Sequence, residues 1–181
     1  MKATGIVRRI DDLGRIVIPK EIRRTLRIRE SDPLEIFTDR EGEIILKKYS
    51  PIGEMTSFAK QYAESLSQVS GHTALIADRD QFISVSGGYK NLMGRSISKA
   101  LEDKVNNREL ITASKGDRNF IAVSEDVVEE YYHEVIAPII SEGDVIGSVI
   151  LIETDSKLKM GEVEQKLALS AAGFLGRQME Q

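Results

Sequence analysis

Residues 15–19, Arg-Ile-Val-Ile-Pro, restrict the fold more than any other stretch of the chain. Side chains alternate across a strand, so three consecutive apolar residues demand cover on both faces. Pro19 ends such a strand because it donates no ladder hydrogen bond, and its fixed φ suits a first helical turn. KEIRRTL (20–26) then reads as a short helix. In it Ile22 and Leu26 face inward together, while Arg23 and Arg24 point outward. Upstream, GIVRRI (5–10) reads as a strand joined to RIVI (15–18) through the turn residues Asp11-Asp12-Leu13-Gly14. PLEIFTD (33–39) and EIILKK (43–48) form a second hairpin, and Gly42 in its loop supplies a positive φ.

Four short strands and one small helix cannot close a good core alone. There is no cysteine or metal-ligand cluster to staple them. Two solutions are open. In one, two chains interleave their hairpins as a homodimer through residues 1–50, which doubles the basic segment on one two-fold surface. In the other, a half-barrel packs on the rest of its own chain. Core size favours the dimer.

The chain has 181 residues and a net charge of −4, but the charge is unevenly placed. Residues 1–50 carry 12 Lys+Arg against 9 Asp+Glu, a net of +3, and residues 51–181 carry 13 against 20, a net of −7. Residues 1–29 alone have 9 basic and 3 acidic side chains, a net of +6. A basic head on an acidic body points to an anionic partner for the head, or to a solvated basic face. The lack of cysteine excludes disulfides, thiolate zinc sites and cysteine nucleophiles. MKATGIVRRIDD lacks the apolar core of a signal peptide, and VIGSVILI (145–152) is too short to span a bilayer. The expectation is a soluble, cytoplasmic protein with no membrane partner.

The motifs TGIVRRID, LGRIVIPKEIRRTL and the closing ILKKY cover residues 1–49 almost without interruption and closely resemble the swapped-hairpin DNA-binding domain of the AbrB family. The resemblance implies an interleaved dimer that binds double-stranded DNA as a transcription regulator. It carries the DNA contact to Arg8, Arg15, Arg23 and Arg24, with Lys2 and Arg9 as basic neighbours. Lys20 ranks lower, because many relatives have an apolar residue there. Physical chemistry agrees: guanidinium forks suit phosphates and guanine edges, and arginine keeps its charge at any cellular pH. The helix start after Pro19 offers free N–H groups to a phosphate. No long recognition helix is present, so reading depends partly on DNA shape. Lys47 and Lys48 read as an edge guard and stay outside the site.

Tyr49-Ser50-Pro51-Ile52-Gly53-Glu54 breaks the pattern, which sets domains of 1–53 and 54–181. Beyond it come a helical stripe at 55–69, strands at 73–78 and 81–86, a helix at 96–105, strands at 130–140 and 144–153, and a long helix at 160–179. The fold class is α+β: an interleaved hairpin barrel in the head, then an antiparallel sheet flanked by helices. APIISEGDVIGSVILI resembles the last hairpin of a GAF domain, and the flanking helices fit. Over its full length the chain resembles a family of sporulation regulators with an AbrB-type head on a GAF-like body. That resemblance implies control of late, forespore-type genes, as activator or repressor. In the last helix, Met160, Val163, Leu167, Ala171, Phe174 and Gln178 form a stripe, and Ala168, Ala171, Ala172, Gly173 and Gly176 keep it slim. Either helices 55–69 and 160–179 join dimers into a homotetramer, or they pack on their own sheet.

No chemistry announces itself in the body. His72 and His133 have no ligand-spaced partners and read as surface or strand histidines, so no metal is expected. Glu125, Asp126, Glu129 and Glu130 read as a solvated acidic run. Ser86-Gly87-Gly88 lacks the lysine of a phosphate loop, and no nucleophile elbow is present. The expectation is a protein without cofactor or catalytic residues, not an enzyme. A small-molecule ligand, unidentified, would lie between residues 106–130 and the 73–86 strands. The competing function is an antitoxin-like module that uses the same hairpin head to bind a protein, but residues 54–181 read as folded rather than as a short wrapping tail.

Overall fold

The computed structural model describes residues 6–125 and 130–180. The chain divides into two compact units after Tyr49. In the head, helix α1 (Lys20–Thr25) begins directly after Pro19, whose φ of −56° and ψ of 146° are extended rather than helical. The Arg23 N–H bonds the Pro19 carbonyl and the Leu26 N–H bonds Ile22, so the proline opens the first turn. Strands β1 (Leu34–Thr38) and β2 (Ile44–Lys48) pair antiparallel, with Ile36 opposite Leu46.

The two N-terminal strands expected at 5–10 and 15–18 are not strands within one chain. Residues 6–10 and 15–18 form no ladder. Two backbone bonds close their turn, from the Asp11 N–H to the Arg15 carbonyl and from the Gly14 N–H to the Asp11 carbonyl. Apart from the half-buried Ile18, their apolar side chains face solvent, Val7 at 91 % and Val17 at 73 % exposure. Leu26, expected inward, is 57 % exposed. Ile36, Phe37, Ile44, Ile45 and Leu46 are exposed as well. The residues have strand character but no partner backbone among the described residues of this chain.

The body is a three-layer α+β unit. Its antiparallel sheet has five strands in the order β4-β3-β7-β6-β5. These are β3 (Thr73–Asp78), β4 (Phe82–Ser86), β5 (Ile111–Ser114), β6 (His133–Ser141) and β7 (Asp144–Glu153). Every pairing is antiparallel, with β7 between β3 and β6. One face packs on helices α3 (Thr56–Ser70) and α5 (Glu162–Gln178), preceded by the single turn α2 (Pro51–Glu54). Ala59, Ala63 and Leu66 of α3 and Ala168, Ala171, Ala172 and Leu175 of α5 meet Ala74, Ile76, Val135, Ala137, Val149 and Leu151. The other face carries Leu75, Ala77, Phe82, Ile136, Ile150 and Ile152 beneath α4 (Lys99–Asn106) and the segment that holds Phe120, Ile121 and Val123.

The slim side of the last helix meets its own sheet. A Cβ at Gly176 would lie 2.1 Å from the Ile140 carbonyl oxygen, so only glycine lets α5 sit this close to β6. Gly147 is held likewise against the Ala77 carbonyl, where a Cβ would lie 2.2 Å away. The expected stripe is rotated: Val163 is exposed, while Ala168, Ala172 and Leu175 are buried. Helix α4 starts later than the pattern at 96–105 suggests, because Ser98 is its cap and accepts the Leu101 N–H at 3.0 Å. β5 lies within the polar stretch 106–119, which the sequence left unplaced; only Ile111 and Ala113 are buried there.

Candidate nucleic-acid interface

Arg15 hangs on a turn that one carboxylate organises. The Asp11 Oδ1 accepts the N–H groups of Leu13 at 3.0 Å and Arg15 at 2.8 Å, and its Oδ2 accepts the Arg15 Nε at 2.7 Å. Gly14 closes the turn at φ 76°. These bonds, the Arg15 N–H first, hold the Asp11 carboxyl below its ordinary range. The turn therefore presents Arg15 in a fixed direction while its side chain stays 70 % exposed. Arg8 and Arg9, on the arm before the turn, are exposed.

On α1, Arg24 is exposed and Arg23 is half-buried. Arg23 thus departs from the expected outward position, and its buried Nε has no hydrogen-bond partner among the described residues. Lys20 is exposed at the start of α1, and Lys2 lies outside the described residues. Asp11, which sequence reading treated only as a turn former, also fixes the Arg15 side chain. The i, i+4 spacing of Asp11 and Arg15 around a glycine was the signal that could have found it. Lys48, left out of the site, is occupied: its Nζ donates to the Arg27 carbonyl at 2.8 Å and pairs with Asp32 at 3.3 Å.

Candidate metal ligands have structural explanations. Asp39, Glu41 and Glu43 converge in the β1–β2 loop, where the Asp39 Oδ1 accepts the N–H groups of Glu41 and Glu43. That is the chemistry of a side-chain-closed turn. In the body, neither histidine is a surface residue. The His72 Nδ1 lies 2.5 Å from Glu153 and its Nε2 lies 3.7 Å from Glu164, so it ties the starts of β3 and α5 to the end of β7. His133 is buried, its Nε2 donating to the Ser156 carbonyl at 3.2 Å and its Nδ1 meeting the Ser114 hydroxyl at 2.8 Å. The acidic run divides as well: Glu125 accepts the Lys99 N–H at the start of α4, and Glu130 pairs with Lys115 at 3.0 Å. Asp126 and Glu129 lie outside the described residues.

The segment expected to wall a ligand lies over the second face of the sheet, with Phe120, Ile121 and Val123 on the cluster that includes Leu75, Ala77 and Phe82. Among the described residues no helix is long and apolar enough to cross a membrane.

A basic hairpin head followed by a five-stranded antiparallel body between helices defines a class of two-domain transcription regulators. The chain belongs to the stage V sporulation protein T family. Residues 54–180 match the family described as stage V sporulation protein T C-terminal, transcription factor, and residues 7–54 match antidote-toxin recognition MazE, bacterial antitoxin. Stage V sporulation protein T of Bacillus subtilis (strain 168) is 54% identical over 182 residues, which cover 100% of both chains. The transition state regulatory protein AbrB of the same organism is 67% identical over 51 residues, 28% of this chain and 52% of that one. The body has the GAF fold. The GAF domain of an Acinetobacter phosphoenolpyruvate-protein phosphotransferase superposes with a TM-score of 0.57 at 13% identity, covering 69% of this chain and 81% of that one.

Proposed function

We propose that this protein regulates late sporulation genes by binding double-stranded DNA as a dimer interleaved through residues 1–50. The contact runs through Arg8, Arg15, Arg23 and Arg24, with Arg9 and Lys2 beside them. One observation carries the reading: Ile6, Val7, Ile10, Ile16 and Val17 are exposed on the two arms of one turn, and Arg8, Arg9 and Arg15 stand among them. Apolar exposure on this scale in so small a unit calls for a second copy. A two-fold axis then doubles each arginine. The sporulation role is supported by the full-length likeness to the Bacillus subtilis protein. The domain division at 1–53 and 54–181, and a homotetramer built through helices 55–69 and 160–179, belong to the same proposal. So does a body that senses a small molecule rather than catalysing a reaction.

The test is a gel shift with alanine at Arg15, Arg23 or Arg24, alongside light scattering. Lost DNA binding with an intact dimer supports the assignment, and equal affinity rejects it. The match of residues 7–54 to an antitoxin family supports a second reading, capture of a protein partner by the head. The folded body at 54–180 stands against it, since a toxin-wrapping tail has no use for one.

A further inference from the structure

The second face of the sheet is closed by a strap, residues 120–124, pinned at several points. The Ser98 N–H reaches the Val123 carbonyl at 2.9 Å, and the Ser98 hydroxyl reaches the Ala122 carbonyl at 2.5 Å. The Tyr131 hydroxyl donates to the Ile121 carbonyl at 2.6 Å and accepts the Val123 N–H at 3.1 Å. The Phe120 and Tyr131 rings lie 5.1 Å apart.

The remaining pin is unusual. The Ile121 N–H donates to the Glu134 Oε1 at 2.8 Å, and Glu134, the second residue of β6, has 0 % exposure. Its other oxygen, Oε2, has no hydrogen-bond partner among the described residues. The cross-strand neighbours are Ala113 of β5 and Ile152 of β7, both apolar. Helix α4 turns Leu101 and Val105 inward, while its Lys99 pairs with Glu102 and Asp103 and its Lys104 pairs with Glu109. At the ends of the strap, Glu125 is engaged with the Lys99 N–H and Glu130 with Lys115. Tyr131 is the titratable group beside the carboxyl, and Tyr89, which donates to the Glu130 carbonyl, lies near Tyr131. No cation faces this carboxyl among the described residues.

A buried carboxylate with no counter-charge is costly, and a neutral carboxyl is not. We propose that Glu134 is a proton-sensitive latch: its neutral carboxyl holds the 120–124 strap on the sheet, and its ionisation loosens the strap. Burial pushes the group up to about 7, against the opposing pull of the Ile121 N–H. With the strap lifted, water reaches the carboxyl and returns it to the ordinary range near 4.5. Closure therefore takes up a proton. It is fully favoured below the ordinary value, weakens as pH rises toward 7, and levels off above. The closed-to-open ratio should fall by up to about tenfold per pH unit within that window. The latch would make the rigidity of this face, and any binding beneath the strap, respond to pH near neutrality.

Hydrogen exchange of peptides spanning 118–125 in the full-length protein tests this, from pH 5 to 8, corrected for the chemical exchange rate. Wild type should lose protection by about tenfold or more between pH 5.5 and 7.5. Glu134→Gln, which keeps an acceptor for the Ile121 N–H but cannot ionise, should stay flat. A flat wild-type profile, or an unchanged slope in the variant, overturns the latch. Should Glu134→Gln fail to fold, NMR titration of the wild-type Glu134 carboxyl carbon decides. A midpoint near neutrality supports the latch, and one in the ordinary carboxylate range rejects it.

Discussion

Asp11 shows how a single residue sets the reach of another. It carries no charge that DNA would welcome, yet it folds the turn and aims Arg15. An exposed ion pair of this kind stabilises little, so its value lies in direction. Asp11→Ala should leave the protein folded and lower DNA affinity about fivefold, the worth of one lost hydrogen bond, in a binding titration. Unchanged affinity would make Asp11 a turn former and nothing more. A second residue-scale prediction concerns Glu153 and Glu164. Burial raises both carboxyls, but backbone N–H groups and His72 outweigh it and hold them below the ordinary value. A depressed carboxyl contributes stability that is complete above the unfolded value, near 4.5, and is lost as pH falls below it. Thermal melts from pH 6 to 3.5 should therefore fall more steeply for wild type than for Glu164→Gln; parallel curves would exclude the linkage. Neither partner of His72 was legible in the sequence, because Glu153 and Glu164 follow it 81 and 92 positions later. Glu134 was missed for another reason: it sits inside the apolar run HEVIAPII, which reads as a plain buried strand. A glutamate leading straight into such a run is itself the signal.

At the scale of elements, what could be read in advance was what local chemistry decides. Pro19 places the start of α1, Gly42 and Asp39 make the β1–β2 hairpin, and the long apolar runs at 133–141 and 144–153 become the central strands. β5 escaped because four residues with two inward side chains carry too little periodicity to detect. The small residues of α5 were visible, but their partner was not: nothing local distinguishes a helix from a strand as the approaching surface. Contact with the Ile140 carbonyl answers that question for Gly176. Gly176→Ala should force α5 off β6 and destabilise the body by about 1–3 kcal/mol, as overpacking does. Calorimetry should show a melting point several degrees lower. A melting point within a degree of wild type would mean that the helix shifts freely, against the close packing described here.

The whole molecule separates a charge pattern that its net charge conceals. A head of net +3, most basic up to residue 29, precedes a body of net −7, and the two sum to −4. The head also explains its own missing ladders. The strand character of 6–10 and 15–18 is written in the chain, but a ladder needs a second backbone, so only part of that fold exists within one copy. The central claim is that two copies complete the seam and carry each arginine twice. The most direct measurement is the salt dependence of binding to a genomic DNA fragment that the protein itself selects, for wild type and Arg24→Ala, with the oligomeric state monitored. Each phosphate contact contributes about −0.9 to the slope of log K against log salt. A doubled arginine on phosphate therefore predicts a slope shallower by about 1.8 in the variant, with weaker binding and an unchanged assembly. A slope and affinity identical to wild type, with the assembly intact, would contradict the account.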